Sequence, residues 1–289
     1  MSVIKGATIG MFDGVHLGHQ YLLSQLKEHC DEAVAVTFTD HPLWIVKGVR
    51  EPHLLSTSCE KSDMLRAMGV TPLLLRFDEN LRSMTAEEFI RTLAREHGIS
   101  RIVLGFNNCI GSDRRSAADD AALRQATGVE IIRATELPGG IKVNSSAIRE
   151  LIKAGDVKHA AALLGRNYTL QGTVAHGKKL GRTIGFPTAN IEADNRDKLI
   201  PAHGVYAADA VAKEGSKYRA VVNIGHRPTV DNPDAPVTIE AHLDGFSGDL
   251  YSTSLTLHFI ERLRGERKFD SLDKLKAAIA SDLNRARAL

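Results

Sequence analysis

The sequence predicts an α/β domain built on a parallel sheet, followed by an all-β domain and a closing helix. Three observations carry this expectation. The chain has 289 residues, about twice the size of a usual domain. Its first 160 residues alternate short apolar runs with helix-like segments. From Gly165 onward, short strand-like runs succeed one another with Gly, Pro, Asn and Asp between them.

In the first half, Gly6 to Gly10 reads as a strand end and Leu17 to Cys30 as a helix. Ala33 to Phe38 is rich in β-formers, Ser58 to Met68 is helical, and Pro72 to Phe77 is a strand. Thr85 to His97 opens with a threonine three residues before Glu88, the spacing of a capping box. Arg101 to Gly105 and Val129 to Arg133 are further strands, separated by an Ala-rich helical stretch. Strands alternating with helices of this length imply right-handed βαβ units and ligand sites at the strands' carboxyl ends. In the second half, Tyr168 to Ala175, Gly204 to Val211, Tyr218 to Ile224, Val237 to Leu243 and Ser252 to Ile260 suggest a small antiparallel barrel or sandwich. From Ser271 to Ala288 the period is helical, with Leu272, Leu275, Ala278, Ile279 and Leu283 on one face. The boundary is expected near Gly155 to Arg166.

A composition of 43% hydrophobic and 25% charged residues excludes a disordered chain, a collagen and a coiled coil. No apolar stretch approaches the ~18 residues a membrane helix needs, and the N-terminus has no signal-peptide pattern. Three scattered cysteines argue against a disulfide framework and a structural zinc site. A soluble cytoplasmic protein is expected. Lysine plus arginine number 37 against 35 acids. Neither half carries the basic excess of a nucleic-acid binder.

Gly10-Met-Phe12-Asp13-Gly14-Val-His16-Leu-Gly18-His19 follows a strand and opens a helix. Glycines let the backbone approach phosphate oxygens, and a helix N-terminus supplies unpaired N–H groups. His16 and His19, three residues apart, fall on one side of the first turn and suit hydrogen bonds to an α-phosphate. Asp13 fits either a Mg²⁺-linked role or a helix N-cap.

This segment closely resembles the nucleotidyltransferase signature of the bacterial bifunctional riboflavin kinase/FAD synthetase family. The resemblance continues at Thr37-Phe-x-x-His41-Pro42, Leu104-Gly105 and Asn144-Ser145-Ser146-Ala147-Ile148-Arg149. In the family this last segment binds the ATP phosphates. Here Ser145 and Ser146 are expected to cap a helix and Arg149 to offer a guanidinium to the triphosphate. One stretch departs from the family pattern. Gly105, Gly111 and Arg114 keep the frame, but Asn107, Asn108 and Ile110 replace its acidic and aromatic positions. Trp44, just after His41-Pro42, reads as apolar packing, with a ligand contact as the alternative.

The second motif is Gly177-Lys178-x-x-Gly181-Arg182-Thr-Ile-Gly185-Phe186-Pro187-Thr188-Ala189-Asn190. It lacks the spacing of a Walker loop. A Gly/Lys-rich loop followed by a Thr-x-Asn pair can cover a nucleotide and present two oxygens to Mg²⁺. The stretch resembles the flavokinase loop of the same family.

The resemblance covers essentially the whole chain. It implies a Rossmann-like nucleotidyltransferase domain over 1–157 and a six-stranded riboflavin-kinase barrel with a C-terminal helix over 163–289. It also implies Glu240 as general base for kinase chemistry, with His16, His19 and Arg149 at the adenylyl site. Phosphate contacts are implied at Gly10, Phe12, Asp13, Gly14, Gly18, Ser145, Ser146, Gly177, Lys178, Gly181, Arg182, Thr188 and Asn190. Flavin contacts are implied at Asn107, Arg114, Arg227, Arg264 and Phe269, and Mg²⁺ contacts at Thr188 and Asn190. The implied partners are riboflavin, FMN and ATP, with no nucleic acid and no membrane; oligomeric state carries no signal. Alternatives are a kinase-only enzyme, a non-catalytic flavin-binding regulator, and a nucleotidyltransferase for another phosphate ester.

Overall fold

In a computed structural model that describes residues 3–140, 142–176, 184–226 and 237–289, the chain divides into two compact units, Met1–Ser145 and Ser146–Leu289. Each is described by itself.

The first unit is built on five parallel strands: β1 (Lys5–Ile9), β2 (Glu32–Phe38), β3 (Thr71–Leu75), β4 (Arg101–Leu104) and β5 (Glu130–Arg133). They lie in the order β3-β2-β1-β4-β5. Helices cover both faces, as the alternation along β2 requires. Val34 and Val36 join a core with Phe89, Ile90 and Leu93 of helix Ala86–His97. Ala35, between them, joins Leu23 and Leu26 of helix Leu17–Glu28 and Leu65 of helix Ser58–Ala67. Thr85 and Glu88 form the expected capping box. The strand order reverses between β1 and β4, so the loops after these two strands flank the crevice where doubly wound sheets take ligands.

The second unit begins with helix residues Ser146–Ala154 and helix Val157–Leu164. Six strands follow: β6 (Tyr168–Ala175), β7 (Ala189–Ala193), β8 (Gly204–Ala212), β9 (Lys217–His226), β10 (Val237–Leu243) and β11 (Ser254–Arg264). They close into an antiparallel barrel in the order β10-β7-β6-β11-β8-β9. Alternate burial places Ile239, Ala241 and Leu243 of β10 inside, which leaves Thr238, Glu240 and His242 on the outer face. Strand β7 is absent from the periodicity reading. It is five residues long and follows a Gly/Pro-punctuated segment, so little alternation marks it.

The C-terminal helix Leu272–Arg287 starts at Ser271, whose side chain accepts from the Lys274 N–H. It lays Leu283 and Ala286 on Val205, Ala207, Val221 and Leu263. The expected apolar face is corrected at one end, because Leu272 is 63% exposed. Leu272 is the first residue of the helix and lies outside the cluster that Leu283 and Ala286 join. The same face buries Asp282, which pairs with Arg264 of β11 at 2.8 Å. The described residues include no helix long and apolar enough to cross a membrane.

Candidate active sites

The loop after β1 is held from behind. The Met11 carbonyl accepts from Thr37 Oγ1 and Lys61 Nζ, each at 2.9 Å. The Asp13 carbonyl accepts from Ser145 Oγ at 2.9 Å, and the Val15 carbonyl from Gln20 Nε2 at 2.9 Å. Three residues of this loop lie in the left-handed region: Phe12 (φ 49°), Gly14 (φ 80°) and Val15 (φ 38°). Glycine adopts such a φ at little cost, whereas a β-branched valine does so only where its surroundings over-determine it. The strain is thus concentrated in the motif with the histidines.

His16 and His19 come together as expected. Their rings stack at 3.6 Å between centroids, 14° from parallel, and Phe12 meets His19 edge-on at 5.1 Å. His16 is also the N-cap of helix Leu17–Glu28, its Nδ1 accepting the His19 N–H at 3.3 Å. Gly18 packs closely on this pair, since a Cβ there would meet the His16 ring at 3.3 Å and require it to shift.

Two expectations are corrected here. Asp13 is not the helix N-cap. Its buried carboxylate accepts from the N–H groups of Leu55 (3.1 Å) and Ser56 (2.9 Å) and from Ser56 Oγ (3.3 Å). It therefore ties the loop to the segment before helix Ser58–Ala67. Ser145, expected as a cap, is the first residue of helix Ser145–Ala154, and its hydroxyl donates to the Asp13 carbonyl. Ser146 is exposed in the first turn of helix Ser145–Ala154, and Arg149 is buried one turn later.

A cleft of about 1070 Å³ opens over this loop. Gly10, Phe12, His16, Gly18, His19, Asn144 and Ser145 line one end. Phe38, Phe77, Met84 and Phe89 add apolar surface, with Phe38 and Phe77 edge-on at 5.3 Å. The volume is at the upper end for one ligand and suits two substrates side by side. The departing segment after β4 lines the cleft through Asn107 and Asn108. Arg133 clamps it, donating to the carbonyls of Gly105 (3.2 Å) and Asn108 (2.6 Å) while Asp120 holds the guanidinium at 2.7 Å. Ile110 is buried with Phe89 in the core, so an aliphatic side chain fills the space and the loop keeps its place. Arg114 is exposed and does not line the cleft. Trp44 is buried, as expected, and donates to the Pro52 carbonyl.

In the barrel, register assembles the second site. Glu240 lies directly opposite Asn190 of β7 on one side and Asn223 of β9 on the other. Opposed residues on one face hold their Cβ atoms about 5 Å apart. Thr188, two residues before Asn190, is exposed at the same strand's start. His242 shares the outer face with Glu240. Its Nδ1–H donates to the Pro187 carbonyl at 2.8 Å, and Phe186 meets its ring edge-on at 5.4 Å. His242 thus orients the segment that carries Thr188, a role its place among 12 histidines does not reveal. A cavity of about 70 Å³ adjoins Thr188, Asp249 and Tyr251.

Arg264 and Phe269, expected as flavin contacts, lie beside each other at the end of β11 and just after it. The Arg264 guanidinium is engaged by the Asp282 carboxylate through Nε (3.0 Å) and Nη2 (2.8 Å), with the Phe269 ring 5.6 Å away. Gly177, Lys178, Gly181, Arg182 and Arg227 lie outside the described residues.

A parallel sheet with paired imidazoles over a Gly-rich loop, joined in sequence to a six-stranded barrel with a carboxylate between two asparagines, defines a two-unit transferase. A family described as FAD synthetase matches residues 4–147, and one described as riboflavin kinase matches residues 164–289. The chain is 38% identical to the bifunctional riboflavin kinase/FMN adenylyltransferase of Pseudomonas fluorescens, over 98% of this chain and 92% of that one. It is 35% identical to the Escherichia coli K12 protein of that description, over 95% and 89%. For the Bacillus subtilis protein of the same description the figures are 34%, 96% and 90%. A crystal structure described as a macrolide-efflux protein from Streptococcus pneumoniae has a TM-score of 0.88 and 31% identity, covering 100% of this chain and 95% of that one. The chain belongs to the bifunctional riboflavin kinase/FMN adenylyltransferase family.

Proposed function

We propose that residues 163–289 phosphorylate riboflavin and residues 1–157 adenylylate the product, through the residues assigned below. The first reaction transfers the γ-phosphoryl group of ATP to the riboflavin 5′-hydroxyl, giving FMN and ADP. The second lets the FMN phosphate attack the α-phosphorus of a second ATP, giving FAD and pyrophosphate. A cytoplasmic location accords with this chemistry.

In the kinase half, Glu240 takes the proton of the 5′-hydroxyl. A carboxylate suffices because proton transfer is late in a loose phosphoryl transfer. The cross-strand placement of Glu240 between Asn190 and Asn223 is the observation that carries this assignment. Asn190 and Thr188 offer amide and hydroxyl oxygens, hard donors of the kind Mg²⁺ takes. Among the described residues no cluster of three His, Cys, Asp or Glu could hold a metal. When bound at Thr188 and Asn190, Mg²⁺ would supply neutralisation of the charge on the substrate phosphates. Gly177, Lys178, Gly181 and Arg182 cover the ATP phosphates, and Arg227 contacts the flavin.

In the adenylyltransferase half, His16 and His19 hydrogen-bond to the α-phosphate as charge builds on it, and Arg149 holds the triphosphate. Gly10, Phe12, Gly18 and Ser146 form the phosphate-facing backbone and hydroxyl, and Asn107 contacts FMN. Gly14 and Ser145, expected there too, are engaged inside the fold, the Gly14 N–H donating to Ser56 Oγ and the Ser145 hydroxyl to the Asp13 carbonyl. The FMN phosphate is already a nucleophile, so this step needs no base.

Chromatography of the flavins after incubation with ATP and Mg²⁺ tests the proposal. Riboflavin is expected to yield FMN and then FAD, and FMN alone to yield FAD. No FAD from supplied FMN refutes the adenylylation, and no FMN from riboflavin refutes the phosphorylation.

A further inference from the structure

We infer that Lys61 is a positioning residue for adenylyl transfer: it turns the Met11–Phe12 peptide so that the Phe12 N–H serves as an anion donor in the cleft. The inference rests on the adenylyltransferase reading of the first unit and adds to it a residue outside the cleft lining.

Lys61 is 1% exposed, on helix Ser58–Ala67, directly after the Thr57–Glu60 capping box. A buried ammonium near the positive end of a helix dipole is costly, so its surroundings must compensate. They do so through three groups. Its Nζ donates to the Met11 and Phe38 carbonyls, each at 2.9 Å, and the Asp13 carboxylate attracts its charge. Thr37 Oγ1 adds a second donor to the Met11 carbonyl at 2.9 Å.

A planar trans peptide sets its N–H opposite its C=O. With the Met11 carbonyl drawn inward by two donors, the Phe12 N–H is directed the other way, and both residues line the cleft. That N–H donates to no group among the described residues. A full positive charge on the carbonyl polarises the peptide and makes its N–H a stronger donor to an anion. The left-handed φ of Phe12, 49°, is the conformation this pinning sustains.

The test uses the full-length protein. Lys61→Met keeps the length of the side chain and removes the charge. It is expected to raise the KM for ATP in FAD formation about tenfold while leaving the KM for FMN unchanged. FMN formation from riboflavin by the same sample should stay at the wild-type rate. The thermal midpoint should hold or rise, because replacing a buried charge by an apolar group of similar size is often neutral or stabilising. Unchanged ATP dependence, or both KM values rising together with a lowered midpoint, would overturn the inference. Thr37→Val provides a second route if Lys61→Met fails to fold: a smaller rise in ATP KM is expected, and none would count against the pinned peptide. Calorimetric titration with ATP and Mg²⁺ keeps the two readings apart. Where wild type forms no FAD, the adenylylation fails on its own, and weakening of one of two ATP-binding events in Lys61→Met still decides the role of Lys61.

Discussion

The Nδ1 of His16 accepts the backbone N–H of His19 at 3.3 Å while the two rings stack at 3.6 Å. One histidine therefore ends the helix and sets the other's place. An imidazole that accepts at Nδ1 carries its proton, when neutral, on Nε2. The helix cap thus fixes which nitrogen of His16 is a donor.

Cap and chemistry can be separated by substitution. Asparagine is a good N-cap and lacks an imidazole. His16→Asn is expected to retain the thermal stability of the wild type and to lose FAD formation by about 100-fold or more. His16→Ala should lose the same activity and, in addition, about 1 kcal/mol of stability. Both should still form FMN. Equal loss of FMN and FAD formation in His16→Asn would contradict independent sites.

Glu240→Gln preserves the size of the side chain and removes the base. FMN formation is expected to fall by about 100-fold or more, with FAD formation from supplied FMN unchanged. A wild-type rate of riboflavin phosphorylation would show that the base lies elsewhere.

Burial lowers the Lys61 ammonium to about 8, although Asp13 pulls the other way. Between about pH 8 and the ordinary lysine range the unfolded chain therefore binds this proton more tightly than the native one. The penalty is fully present below pH 8, and native stability gains as pH rises through that window, by up to about 3 kcal/mol from this group. Denaturant midpoints of wild type and Lys61→Met at pH 8 and pH 10 isolate it. The stability of wild type relative to the variant should rise with pH; a constant difference would refute the shifted lysine.

Arg264 and Asp282 form the least exposed ion pair joining β11 to the C-terminal helix, with side chains 19% and 5% exposed. Asp282→Ala leaves a half-buried guanidinium without its carboxylate and is expected to cost about 3 kcal/mol, read as a lower thermal midpoint. If Arg264 instead acts mainly on the flavin, the midpoint will hold and the KM for riboflavin will rise.

The strands of the parallel sheet were legible because each is a short apolar run bounded by helix signals, and Tyr168–Ala175 and Val237–Leu243 were legible because inward and outward residues alternate. Strand β7 was not, since its five residues follow a Gly- and Pro-rich stretch with no alternation to read. His16 and His19 announce themselves by residue type and spacing. Lys61 does not, because a lysine in a polar helix reads as a solvated charge until tertiary packing places two carbonyls and a carboxylate around it. Asp13 shows a second long-range role: beside a helix start a motif acid reads as an N-cap, yet it accepts from the backbone N–H groups of Leu55 and Ser56, 42 and 43 residues away.

By itself the sequence determined what depends on local order: the two fold classes, the Gly-rich turn that opens a helix, the capping box at Thr85, and the residue types available for phosphate and proton chemistry. Tertiary structure alone decided which of those residues meet. Barrel closure set Glu240 between Asn190 and Asn223, packing of Ser58–Ala67 under the sheet brought Lys61 to the Met11 carbonyl, and docking of the last helix assigned Arg264 to Asp282. The physical reason is range. Turn, cap and period are properties of residues a few positions apart, whereas register, burial and charge pairing join residues that only the folded chain makes neighbours.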